Sequence, residues 1–447
     1  MKIGLLAMSG VRAHDQELLR LGLTLPGFVE RSKVIAQLPS LGLLYLAAAT
    51  PDGHDVRYYE APADGQEPHE IYECDLVAIS TFSAQVNEAY SIADRLRAVG
   101  VKVAMGGLHV TVRPQEAKQH ADFVILGEGE NVWPAVVEAA AALKPPQVFD
   151  AMHYRPVDVR HLPVPRYDLL AGRAYNRYTV QTSRGCPWRC DFCASNVMLR
   201  QAYRKRPVQH VLRDIDSICR VQPRPFIEFA DDNTFVDKAW GKQLCRRLIP
   251  YHLKWFTETD ISVADDEELL ELMRQAGCRQ VLIGLESPGR RAVDGIELKT
   301  NFKARRADYY AAAVQQIQSH GITVNGCFIL GLDEHTPRIF QDVLDFAMET
   351  SLYEVQFTVL TPFPGTPLYD RLLREGRLLE PERWELCTLF DVNFQPARMS
   401  VRQLRDGLYW LGERLYSREC TDERRRGFFH QWRHGYTSHS DVGLHVA

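Results

Sequence analysis

The chain has 447 residues, 45% of them hydrophobic and 25% charged, with a net charge of −4. At roughly 100–200 residues per domain, that length predicts two to four domains with enough core to need no disulfide staples. The slightly acidic balance excludes a dedicated nucleic-acid binder, which carries a basic face. No apolar run approaches the roughly 18 residues of a membrane span.

The opening Met1–Met8 is too short for the apolar stretch of an export signal and reads as a strand, which makes a reducing cytoplasm the expected compartment. The ten cysteines are there expected as free thiols or metal ligands. Residues 1–145 alternate strand and helix patterns. Strands are predicted at Ile3–Met8, Val56–Glu60, Asp75–Ser80, Val101–Met105 and Phe123–Leu126, with helices at Leu41–Ala49, Asn87–Ala98 and Val132–Leu143. Such alternation predicts a parallel, Rossmann-like sheet with right-handed crossovers. Ligands of these sheets sit at the carboxyl ends of strands, where Ser80, Thr81, Gly106, Gly107 and Gly127 fall.

Residues 146–176, rich in proline and without periodicity, read as a linker. A second α/β block is predicted over 177–378. Its strands are Thr179–Thr182, Phe226–Ala230, Trp255–Thr259, Gln280–Leu285, Thr323–Leu330 and Val355–Leu360, which make a partial (β/α)6 barrel. Residues 379–447 read as a helical C-terminal cap. Ser400 is placed to cap a helix that carries Leu404, Leu408, Leu411 and Leu415 on one face. Arg424, Arg425 and Arg426 read as a solvated basic face. Trp384, Tyr409 and Trp410 are either core aromatics or contacts for a hydrophobic substrate.

Three cysteines stand apart from the scattered seven. Cys186, Cys190 and Cys193 form a C-x3-C-x2-C run just after the first strand of the second block. Thiolates are the soft ligands of iron–sulfur clusters, and three of them leave one iron of a [4Fe–4S] cluster open. The competing reading, a zinc knuckle, normally needs a fourth protein ligand. Gly185 and Pro187 suit a sharp turn, and Phe192 is placed to shield a cluster from water.

This motif resembles the radical S-adenosylmethionine superfamily, and later strand ends follow that family's order. The resemblance implies that the open iron binds S-adenosylmethionine, which is cleaved to methionine and a 5′-deoxyadenosyl radical. It implies that Asp231 or Asp232, in Phe226–Phe235, meets the methionine ammonium. Glu286 and Ser287, in Ile283–Ser287, resemble the family's GxES strand end near the ribose. Gly326–Gly331 and Leu360–Pro367 resemble its adenine-side strands.

The first block resembles the cobalamin-binding domain joined to many of these enzymes. The resemblance rests on Pro39–Ala48, Ser80–Ser83, Gly106–Thr111 and Gly127–Glu130. It implies cobalamin at Ser80, Thr81, Gly106, Gly107 and Gly127. The D-x-H-x-x-G motif of mutase-type proteins, whose His ligates cobalt, is absent, so a domain that keeps the fold without cobalamin is the alternative. His109 is either ligand-facing or an ordinary loop histidine.

The C-terminal pattern resembles the subgroup that includes hopanoid methylases. The expected function is methyl transfer to an unactivated carbon of a lipid or natural-product intermediate. A reductant such as flavodoxin or ferredoxin is the expected partner. A radical cyclase, oxidoreductase or rearrangement catalyst is the second reading, and a non-catalytic iron–sulfur or cobalamin sensor the third.

Overall fold

The computed structural model describes residues 1–8, 10, 13–15, 17–18, 38–61, 67–195 and 203–440, apart from the side chains of 435–440. The first sheet contains β1 (Lys2–Ala7), β2 (Asp55–Glu60), β3 (Leu76–Ser80), β4 (Lys102–Gly106), β5 (Phe123–Leu126) and β6 (Gln147–Asp150). All pair in parallel, in the order β2-β1-β3-β4-β5-β6. Helices cover both faces, so β1 and β3 are apolar nearly throughout. Ile3, Leu5, Leu6, Leu76 and Val77 have no exposed surface. The connections run in opposite directions from β1 and β3, which opens a crevice at their carboxyl ends.

β6 corrects the reading of 146–176 as linker throughout. Gln147–Asp150 pairs with Phe123–Leu126 and forms the sheet edge. Pro145 and Pro146 hid it, yet proline is tolerated where an edge strand begins.

The second sheet contains β7 (Tyr178–Val180), β10 (Phe226–Phe229), β11 (Lys254–Glu258), β12 (Cys278–Glu286), β13 (Thr323–Leu330) and β14 (Glu354–Val359). They pair in parallel in sequence order, which gives the expected open (β/α)6 barrel. Two short strands, β8 (Ser183–Arg184) and β9 (Arg204–Lys205), pair antiparallel beside it.

The tail belongs to both domains. Helix α1 (Val401–Leu415) starts at a capping box between Ser400 and Gln403, and Leu404, Leu408, Leu411 and Leu415 are buried along it. Gly407 lets it approach the barrel, because a Cβ there would overlap the Phe340 ring. Trp384, Cys387 and Tyr369 join the core on one face of the first sheet. Helix α2 (Arg418–Ser440) follows. Arg424 on it is buried rather than solvated, and donates to the carbonyls of Leu352, Tyr353 and Leu415 at 2.8, 3.3 and 2.9 Å. The carbonyls left free at the end of one segment were a better partner for its guanidinium than water.

Candidate active site

The cysteine loop leaves β8 through Gly185, whose φ of +80° suits glycine. Its amide donates to Asp232 Oδ2 at 3.1 Å. The loop is then pinned from three directions. Buried Glu297 accepts from the Arg189 amide at 3.0 Å and from the amides of Lys299, Thr300 and Phe302. Burial opposes its charge, but the amides of Arg189, Thr300 and Lys299 and the Thr300 hydroxyl outweigh burial and hold its pKa at about 2. Trp188 donates to Asp260 at 2.9 Å and stacks on Phe302 with centroids 4.1 Å apart. The Leu368 amide donates to the Asp191 carbonyl at 3.1 Å.

The three thiols are half-buried and near enough to influence one another's ionisation. Burial pushes Cys186 up to about 11 and raises Cys190 further, so metal loading would displace their protons. Among the described residues no three His, Cys, Asp or Glu side chains converge on a single ion. A cluster asks something else, one thiolate per iron on a preformed loop, and this loop fits it. Phe192 sits half-buried against the core beside Cys193.

The two adjacent aspartates separate in role. Asp231 is buried and fully engaged: it accepts from the amides of Thr182 (2.7 Å) and Ser183 (2.9 Å) and from the hydroxyls of Thr234 (2.7 Å) and Thr182. Burial still lifts it to about 6. It fixes the chain entering the cysteine loop. Asp232 is half-buried and lies near Cys186, with its Oδ2 on the Gly185 amide.

Glu286 ends β12 with a left-handed φ of +64°, next to a register shift against β13. Its Oε1 lies 2.8 Å from Lys303 Nζ, and both side chains are buried. Lys303 also donates to the Gly284 carbonyl. Burial works against the Lys303 charge, but Glu286 outweighs it and the pKa is raised. Ser287 Oγ lies 3.1 Å from His335 Nε2, while His335 Nδ1 accepts from the Leu332 amide at 3.2 Å. Burial lowers His335 to about 4, so the neutral ring carries its proton on Nε2 and donates to Ser287. The Ser287 hydroxyl proton is left for a ligand.

Glu258 at the end of β11 makes no side-chain hydrogen bond or ion pair among the described residues. The residue is exposed to solvent, although protein atoms crowd its carboxyl. Burial, then Glu228 and Asp232, raise it to about 8. Lys303, His335, Glu297 and Glu258 were absent from the sequence reading. Glu258 alone left a trace, a charge ending the apolar run Trp255–Thr257.

The predicted residues of the first sheet also come together. The Thr81 amide donates to the Gly106 carbonyl at 3.2 Å. Gly107 has φ +103° and ψ −173°, and a Cβ there would fall 2.6 Å from the Thr81 carbonyl oxygen. The Thr111 hydroxyl donates to the Gly107 carbonyl at 2.8 Å and accepts from the Gly127 amide at 3.0 Å. A cavity of about 360 Å³ opens beside Gly127, lined by Thr111, Leu126, Val132, Asp150 and Tyr154. His109 does not face it. Fully buried, it lies 3.0 Å from Ser83 Oγ and packs against Trp384 at 5.1 Å. Trp384, Tyr409 and Trp410 do not form one surface: Tyr409 donates to Asp15 at 2.5 Å and Trp410 lies under Arg414.

One ion-pair network joins the two sites. Arg184, two residues before Cys186, donates to Glu128 at 2.7 Å and to Glu130, both in the loop after β5. Arg204 donates to the same Glu128 at 2.9 Å. Arg184, Glu128 and Glu130 are each about nine-tenths buried.

Family models match stretches of chain in each of the two sheets. Residues 31–137 match the B12 binding domain model, 180–347 the Radical SAM superfamily model and 366–442 a domain of unknown function. An uncharacterized methyltransferase of Synechocystis is 30% identical over 368 residues, covering 81% of this chain and 68% of the relative. The chain belongs to the cobalamin-binding radical S-adenosylmethionine methyltransferase family. It is an enzyme, and the cofactors of its family are a [4Fe–4S] cluster, S-adenosylmethionine and cobalamin. The hopanoid C-2 methylase of Rhodopseudomonas palustris is 27% identical over 361 residues, covering 79% of this chain and 67% of that protein. The fold matches the radical S-adenosylmethionine methyltransferase TsrM of Kitasatospora setae with a TM-score of 0.64 at 16% identity. That match covers 98% of this chain and 99% of TsrM. No helix among the described residues is long and apolar enough to cross a membrane.

Proposed function

We propose that this enzyme methylates an unactivated carbon of a lipid or similar natural-product intermediate. The observation that carries the reading is the Arg184 network, which ties the cysteine loop to the glycine-lined crevice, so that one substrate can meet both cofactors. The name of the hopanoid C-2 methylase supports the lipid class. When bound, the cluster supplies the electron that cleaves S-adenosylmethionine, and cobalamin supplies methyl-carrying chemistry.

The chain's own residues then have distinct tasks. Cys186, Cys190 and Cys193 hold three irons. Asp232 accepts the methionine ammonium, since every acceptor site of Asp231 is engaged. Glu286, fixed by Lys303, and Ser287, fixed by His335, hold the ribose side. Ser80, Thr81, Gly106, Gly107 and Gly127 receive cobalamin. Ten free cysteines fit a reducing cytoplasm, with flavodoxin or ferredoxin as electron donor.

The test is anaerobic reconstitution with cobalamin, reductant, S-adenosylmethionine and a hopanoid. Deoxyadenosine together with S-adenosylhomocysteine and a methylated hopanoid is the expected outcome. Deoxyadenosine without S-adenosylhomocysteine would point to other radical chemistry, and no turnover to a sensor. Asp232→Asn should weaken S-adenosylmethionine binding about tenfold, or ~1.4 kcal/mol, with an unchanged melting temperature.

A further inference from the structure

Each cleavage of S-adenosylmethionine consumes one electron, delivered at the cysteine loop. We infer that this electron enters through a basic face made by Arg189 and residues 289–309, and that the face docks an acidic one-electron carrier protein. The inference rests on the cluster reading of Cys186, Cys190 and Cys193.

Residues 289–309 follow β12 and lie against the loop. The Leu298 amide donates to the Arg189 carbonyl at 2.8 Å, and the Asp191 amide donates to the Ile296 carbonyl at 2.9 Å. Cys190 and Glu297 form an antiparallel bridge between these two bonds. The short helix Phe302–Arg306 is held to the same loop, because Phe302 stacks on Trp188. Arg189 is the chain neighbour of Cys190, so a partner seated here is one residue from a cluster-holding thiol. Electron transfer falls off steeply with distance, and this is a short way in.

The chain as a whole carries a net charge of −4, yet this face is basic. Its exposed charged residues are Arg189, Arg290, Arg291, Lys299 and Arg305 against Asp294 and Asp308. Arg290 pairs with Asp308 at 3.4 Å, and Arg291 with Glu334 at 2.7 Å. The side chains of Arg189, Lys299 and Arg305 make no ion pair or hydrogen bond among the described residues. Leu298, 57% exposed, stands beside Lys299 on the same segment. Unspent cations beside an exposed apolar side chain fit an acidic partner, since opposite potentials steer the encounter and fix its orientation. Redox encounters of this kind use small interfaces, which lets the carrier leave after each turnover. The step moves one electron and no atoms: the carrier is oxidised by one electron, the cluster is reduced by one, and no bond or proton changes. Flavodoxin and ferredoxin share that chemistry.

The test compares the reconstituted full-length protein with its double variant Lys299→Glu and Arg305→Glu. Stopped-flow absorption follows reduction of the cluster by flavodoxin hydroquinone and, separately, by reduced ferredoxin, over a range of salt. Calorimetry measures the binding of each oxidised carrier. At low salt the variant should accept the electron about tenfold more slowly and bind about tenfold more weakly, and the gap should close at high salt. Lys299→Gln with Arg305→Gln should show a smaller loss in the same direction. With excess dithionite, parent and variants should form deoxyadenosine equally. Lys118→Glu with Lys144→Glu, the same charge change on the first domain, should behave as the parent. A loss with one carrier alone supports the face and names its partner. Unchanged rates and affinities with both carriers would overturn the inference, as would an equal loss in the first-domain control. A loss shared by the carriers and dithionite would make the segment a prop for the loop and overturn it too. A parent that takes up no iron would overturn the cluster reading and this inference with it.

Discussion

At the carboxyl ends of β3 and β4 the chain withdraws. Gly106 and Gly107 offer backbone, and Gly107 sits where a methyl group would collide with the Thr81 carbonyl. At the ends of β10, β11 and β12 the chain advances instead, with Asp232, Glu258 and Glu286 projecting from strand ends and Lys303 and His335 fixing their neighbours. On the proposed assignment, the first site admits a large preformed group and the second grips a small charged one. Substitutions should therefore fail differently in the two. In the first, added bulk is harmful. In the second, lost function is harmful, and bulk is secondary.

The largest effect belongs to the second site. Cys190→Ala should bring iron content and deoxyadenosine formation to background with the fold retained, as read by metal analysis and circular dichroism. Full cleavage activity would remove the cluster from this loop. Next is the join between the sites. Arg184→Met leaves Glu130 and part of Glu128 buried without a partner, which costs about 3–5 kcal/mol. Urea unfolding measures this. Arg184→Lys should recover only part, because an ammonium lacks the fork that reaches two carboxylates.

The first site should yield a smaller loss. Gly107→Ala forces a side chain into a backbone region reserved for glycine, at a cost of about 1–3 kcal/mol, and should weaken cobalamin binding in equilibrium dialysis. An unchanged affinity would mean that the close approach of β4 to β3 does not shape the crevice. The smallest effect is a pH dependence, because Glu258 is an exposed residue and solvent screens the charges around it. Glu258 has a folded pKa of about 8, raised from 4.5, so its proton favours folding. That contribution is full below pH 4.5 and is lost as pH rises through 8. Glu258→Gln stays neutral, so its advantage in melting temperature should grow from pH 5 to pH 9. A constant difference would mean that solvent screens Glu228 and Asp232 from it completely.

The same contrast explains what the residues disclosed on their own. The glycine pairs and the cysteine spacing are local signals, each within a few residues, so both sites could be placed along the chain. Strand ends such as Phe123–Leu126 and Thr323–Leu330 follow from apolar runs bounded by turns. The division of labour between Asp231 and Asp232 was not legible, since it depends on which carboxylate the Thr182 and Ser183 amides reach. Glu297 and Lys303 act across long loops and leave no periodic trace. Arg424 resembled any surface arginine until the free carbonyls of Leu352 and Leu415 came beside it.

The strap from the tail has a consequence for how the molecule is made. Asp391 accepts from the amides of His14 and Asp15, Glu385 accepts from Asn87, and Trp384 closes over His109. These partners are separated by roughly 270 to 380 residues of chain. The first domain therefore cannot complete its own core until residues 384–391 have followed it. During synthesis its crevice is a half-finished surface that awaits a distant segment, and shortening the chain before residue 384 should expose the first domain rather than trim the last.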